Sequence, residues 1–132
     1  MSRRLQVVVL AVGMVMWACS HSPTGPQAGT LFVKLQDPNS GADGAILLTL
    51  TSPAPVTNVA AGAGADTLWT TDYSTTVSKV LLTGSIANGV ILKFDVEDVN
   101  LASEYVVSVT QAASSSDYSL RSLTNYVAFV SR

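Results

Sequence analysis

At 132 residues the chain has room for one domain. Apolar residues make up 48% of it and charged residues 12%, about half the usual charged share, a balance that builds a core and excludes an intrinsically disordered protein. The formal charge is −2, with no basic footprint for phosphates, so nucleic acid is excluded as a partner. The single cysteine, Cys19, has no second thiol for an internal disulfide or a clustered thiolate metal site.

The chain opens on Arg3 and Arg4, runs through an unbroken apolar or glycine stretch from Val7 to Ala18, and reaches Cys19. Charge, apolar run and small residue follow the order of a secretory signal. The run falls short of the roughly 20 residues a membrane-spanning helix needs. It also has no polar face at helical spacing, which argues against a buried amphipathic helix.

Ala18 and Cys19 resemble the end of a bacterial lipoprotein lipobox, with Met16 and Trp17 where that family usually has leucine and a small residue. The resemblance implies residues 1–18 as a lipoprotein signal peptide and cleavage between Ala18 and Cys19. It further implies a diacylglycerol on the Cys19 sulfur and a further acyl chain on its new amino group. Two or three acyl chains anchor stably where one does not, each buried CH₂ contributing about 0.8 kcal/mol. Ser20 follows the cysteine instead of the aspartate that often retains such proteins in the inner membrane. The expected location is therefore the cell envelope, lipid-anchored at the outer membrane. If the chain is cut there, Lys34, Lys79, Lys93, Arg121 and Arg132 face nine acidic residues, leaving −4.

Residues 19–29 form the lipidated cysteine and a flexible tether, because the proline, glycine and small polar residues of "SHSPTGPQAG" offer no apolar area to bury. The only histidine, His21, falls in this tether and reads as a solvated linker residue.

Residues 30–132 are expected to form a single β-sandwich. Leu31, Val33 and Leu35 alternate with Phe32, Lys34 and Gln36, and "DPNSGADG" follows as a turn cluster. Ile46, Leu48 and Leu50 then alternate with Ala45, Leu47 and Thr49 up to Pro53. Val56 to Ala61, Leu68 to Thr71 and Val77 to Gly84 are less regular but rich in strand-forming residues. Asn88-Gly89 is a hairpin signal, introducing Val90, Leu92, Phe94 and Val96 as inward residues against Ile91, Lys93 and Asp95. Tyr105, Val107 and Val109, then Tyr126, Ala128 and Val130, continue the alternation. Up to nine short strands with one apolar face each must stack as two antiparallel sheets. The segments Gly44 to Gly64 and Lys79 to Asp98 resemble the cohesin and carbohydrate-binding β-sandwich domains of bacterial surfaces, which implies an immunoglobulin-like or cohesin-like fold.

Catalytic chemistry is not expected. The histidine is in the tether, the cysteine is assigned to lipid, and no Gly-x-Ser-x-Gly elbow occurs. "AAGAGAD" carries Thr67 where a dinucleotide loop would need a third glycine. Asp37, Asn39 and Asp43 offer oxygens to a cation, but the loop does not carry the ligand set of an EF-hand and turn chemistry accounts for these residue types. No metal and no cofactor is therefore expected. Asp95 and Glu97 share the strand face opposite Phe94 and Val96, a solvated face or loose cation site rather than a glycosidase pair. Trp69 and Tyr73 flank "TTD" and are the candidate sugar-stacking rings. The expected partners are membrane lipid, through acylated Cys19, and an envelope protein or glycan.

Overall fold

The computed structural model describes residues 25–72 and 76–132, and for residues 69–72 the backbone alone. The expectations for Ala18, Cys19, His21 and Tyr73 lie outside the described residues. Eight strands are described: β1 (Gly29–Gln36), β2 (Asp43–Thr51), β3 (Thr57–Ala61), β4 (Thr67–Asp72), β5 (Val77–Ile86), β6 (Gly89–Val96), β7 (Val106–Ser114) and β8 (Val127–Ser131). They form two four-stranded antiparallel sheets, ordered β3-β6-β1-β8 and β4-β5-β2-β7, so the chain is a two-sheet β-sandwich.

Period-two patterning forces this packing. Leu31, Val33 and Leu35 of β1, Ile46, Leu48 and Leu50 of β2, Val80 and Leu82 of β5, and Phe94 of β6 are all buried between the sheets. Each such side chain contributes about 1.5–3 kcal/mol relative to remaining exposed. Phe94 also meets Tyr105 with ring centroids 5.8 Å apart.

Two details depart from the sequence pattern. Asn88-Gly89 does not close a hairpin: β5 lies in one sheet and β6 in the other, so the turn carries the chain across the sandwich. Gly89 has the positive φ such a turn demands (108°), whereas Asn88 is not among the positive-φ residues. Its side chain has another task, accepting the Asp37 N–H through Oδ1 at 2.6 Å. The second departure is Ile91, expected to face solvent and found fully buried. Val33 pairs with Leu92 and Lys34 with Val90, so Ile91 is the extra residue of a β-bulge. The bulge breaks the alternation and turns Ile91 into the core beside Leu92, leaving Val90 half-buried. A similar register shift opposite Leu47 and Leu48 makes Thr110 the extra residue of β7.

The only described helix is a short 3₁₀ turn, Val99–Glu104, capped by the Asp98 side chain accepting from the Asn100 N–H. Strand directions give the sandwich two ends, about 25 Å apart for strands of eight residues. The start of β1, the start of β3 and the end of β6 meet at the end where the chain enters, named the tether end after the tether expected before β1. The end of β1, the start of β2 and the end of β5 meet at the opposite, far end.

Candidate functional site

At the tether end, on the outer face of the first sheet, a groove of about 510 Å³ is lined by Ala28, Gly29, Thr30, Pro55, Thr57, Asp95, Val96 and Glu97. Its base is a cross-strand row, since Asp95 of β6 pairs with Thr30 of β1 on one side and with Thr57 of β3 on the other. Asp95 of β6 faces away from Phe94, and Glu97, one residue past the end of the strand, lines the groove with it.

The carboxylate of Asp95 is held in place. Thr30 Oγ1 donates to its Oδ1 at 2.7 Å and Asn58 Nδ2 donates to its Oδ2 at 2.8 Å. Asn58 reaches it from a bulge in β3, where the register slips between Thr57 and Ala60 and Asn58 takes a left-handed φ of 50°. Asparagine tolerates that conformation better than most residues. The bonds from Thr30 and then Asn58 hold the Asp95 carboxyl below the usual carboxylate range. A group held in its ionised form makes a fixed hydrogen-bond acceptor and a poor proton donor, so Asp95 does not suit the acid role of a glycosidase.

The entering chain is tied to the same end. Asp98 Oδ1 accepts from the Gln27 N–H at 3.2 Å as well as from the Asn100 N–H, and the Val99 N–H donates to the Gln27 carbonyl at 2.7 Å. These two backbone bonds, Gln27 first, lower the Asp98 pKa. The first sheet thus receives the chain within a few residues of the groove.

A second polar centre occupies the far end. Asp43, the first residue of β2, is fully buried, and its Oδ1 takes the Arg121 Nε–H at 2.9 Å while its Oδ2 takes the Tyr126 hydroxyl at 2.5 Å. Asn39 Nδ2 donates to that hydroxyl at 2.9 Å, and Arg121 Nη2 reaches the Ala42 carbonyl at 3.3 Å. Asp37 is 5% exposed; its Oδ1 accepts from the Asn39 N–H at 2.6 Å, and its Oδ2 has no hydrogen-bond partner. Burial, partly offset by the Asn39 amide and reinforced by the neighbouring Asp43 carboxyl, pushes Asp37 up to about 6. Burial together with the bond to Asp43 pushes Tyr126 up to about 12.

The structure brings together Asp37, Asn39 and Asp43, which the sequence placed in one turn, and joins them to Arg121 and Tyr126 from the connection between β7 and β8. Nothing in the spacing of 78 and 83 residues marks those last two as partners of Asp43. Among the described residues no group of three or more histidine, cysteine or acidic side chains is arranged to hold a metal ion. Trp69 stands in β4, an edge strand, with its backbone opposite Leu81, and the structure does not bring it to the groove, which belongs to the other sheet. Asn58 and Thr30, which make the groove what it is, were not singled out by sequence; the one available signal was the polar pair Thr57-Asn58 between Val56 and Val59.

The chain matches no known family model, no curated protein and no solved structure.

Proposed function

We propose that the protein is a lipid-anchored envelope lipoprotein of the bacterial outer membrane whose β-sandwich is a non-catalytic binding module. The anchor rests on the order of Arg3, Arg4, the apolar run, Ala18 and Cys19. The observation that carries the binding role is the Thr57–Asp95–Thr30 row, a fixed acceptor flanked by hydroxyl-bearing residues in an open groove. Preorganised polar groups of this kind recognise a ligand without spending energy on ordering themselves.

Two carboxylates in the groove repel anions, so the ligand class is a neutral or cationic, hydroxyl-bearing envelope polymer. Mass spectrometry of the native protein is expected to give an acylated N-terminal peptide beginning at Cys19; an intact Met1 terminus refutes the anchor. Glycan and peptidoglycan-fragment binding is expected to weaken at least tenfold in Thr57→Tyr, which fills the groove, and an unchanged affinity removes the groove from the proposal.

A carbohydrate-binding module reading through Trp69 and Tyr73 is the alternative, supported by the position of Trp69 on an edge strand. Glycan binding lost in Trp69→Ala and retained in Thr57→Tyr selects it.

A further inference from the structure

The far-end cluster holds two carboxylates and one guanidinium within hydrogen-bonding reach of the same tyrosine and asparagine. With Asp37 and Asp43 both ionised, Arg121 neutralises only one of them, and one negative charge stays buried with no cation to offset it. Asp43 is the neutralised one, since both its oxygens are engaged by Arg121 and Tyr126. Asp37 carries the excess: its carboxyl lies against the Asp43 carboxyl and the Tyr126 hydroxyl, and its Oδ2 completes no hydrogen bond. A buried, unpaired carboxylate is costly, and the site is relieved by taking up one positive charge.

The arithmetic favours a proton over a divalent cation. One proton on Asp37 makes the cluster neutral, whereas a divalent ion would leave it at +1 with the Arg121 guanidinium beside it. The oxygen to be protonated is Oδ2, because Oδ1 already accepts from Asn39. The charged or titratable groups facing Asp37 are Asp43 from β2, with Arg121 and Tyr126 from the connection before β8; the link between β5 and β6 presents the neutral Asn88.

We propose that Asp37 is a proton-operated latch: protonated, it closes the turn between β1 and β2 over the far end of the sandwich, and ionised, it loosens that turn. The turn that carries Asp37 is tied by its backbone and by Ser40 to the link between β5 and β6. The Asp37 N–H bonds Asn88, the Asn88 N–H bonds Ser40 Oγ at 2.9 Å, and the Gly41 N–H bonds the Ile86 carbonyl at 2.8 Å. Movement of Asp37 toward water therefore pulls on the turn between β1 and β2 and on the link between β5 and β6 together.

The sign of the effect follows from the direction of the shift. Asp37 titrates near 3.8 when unfolded and near 6 when folded, so its contribution is complete below about pH 4 and is lost as pH rises through about 6. The loss approaches a factor of about 100 in the folding equilibrium, one factor of ten for each unit.

The test uses the full-length chain in detergent micelles. Carboxyl ¹³C shifts are followed from pH 3 to 8, and denaturant unfolding is compared for wild type and Asp37→Asn, which mimics the protonated side chain. The expected results are a titration of the Asp37 carboxyl near pH 6, wild-type stability falling between about pH 4 and 6 and levelling off above, and a variant in which that fall is absent. An Asp37 midpoint at or below 4, or the same pH slope in wild type and Asp37→Asn, overturns the latch. So does stabilisation of the wild type by calcium at pH 7.5 that Asp37→Asn lacks, which would make the site a metal site. The ¹³C titration needs no variant to fold.

Discussion

The two ends of the sandwich each carry a pair of carboxylates, and the pairs behave as opposites. At the tether end Asp95 and Glu97 line an open groove, and Asp95 is held ionised by Thr30 and Asn58. At the far end Asp37 and Asp43 are sealed from water, and Asp37 is pushed toward its neutral form. Burial separates the two cases, because donated hydrogen bonds alone would lower both. Asp117 supports this: it lies at the far end but is exposed, accepts from Ser114 Oγ and from the Ser119 N–H and hydroxyl, and is lowered to about 2. An acidic residue with donors and solvent stays ionised, and one that is buried beside a second carboxyl is driven toward its neutral form.

If that contrast is right, the largest loss comes from the sealed end. Asp43→Ala removes the acceptor of the Tyr126 hydroxyl and of Arg121 Nε, leaving Arg121 only the Ala42 carbonyl, and is expected to cost about 3 kcal/mol in urea unfolding. A cost below about 1 kcal/mol would show that the cluster is looser than its geometry. A smaller effect is expected from Asn58→Ala, which removes a donor from Asp95 and places alanine at positive φ, for about 1–2 kcal/mol. Asn58→Gly, free of the backbone strain, is expected to recover about half of that loss while leaving Asp95 with a raised pKa relative to wild type.

The acid limb of stability sharpens the comparison further. Asp95, Asp98 and Asp117 have lowered folded pKa values, so their contributions are present above about pH 4 and disappear as pH falls through those lower values, to about 2 for Asp117. Together with Asp37 these groups favour the fold most near pH 4, and Asp117→Asn is expected to flatten the curve only below pH 4. The smallest effect belongs to Asp98→Ala. Hydrogen exchange at the Val99 amide is expected to quicken as the Gln27 junction frays, with global unfolding unchanged.

The fold class was legible because alternation survives in the central strands: Leu31, Val33 and Leu35, and Ile46, Leu48 and Leu50, face the core as their spacing predicts. Ile91 was illegible because a bulge is a property of the pairing between β1 and β6, and a single strand does not reveal it. Asn88-Gly89 misled for a related reason, since the dipeptide specifies a tight reversal and not whether the next strand joins the same sheet. Of the groove, Asp95 and Glu97 were placed on a common outward face from parity alone, while Thr30 and Asn58 come from strands that only the topology brings beside them. The far-end cluster was half visible, its turn residues close in sequence and Arg121 and Tyr126 supplied by a distant connection.

The alternation of the chain between sheets also bears on how the domain is made. Among the described strands only β4 and β5 are consecutive neighbours in one sheet, and every other connection crosses the sandwich. Little native pairing is therefore available to a nascent segment, and the closing strand β8 must find β1 from the opposite end of the chain. Such topology folds slowly, in milliseconds to seconds for small all-β domains.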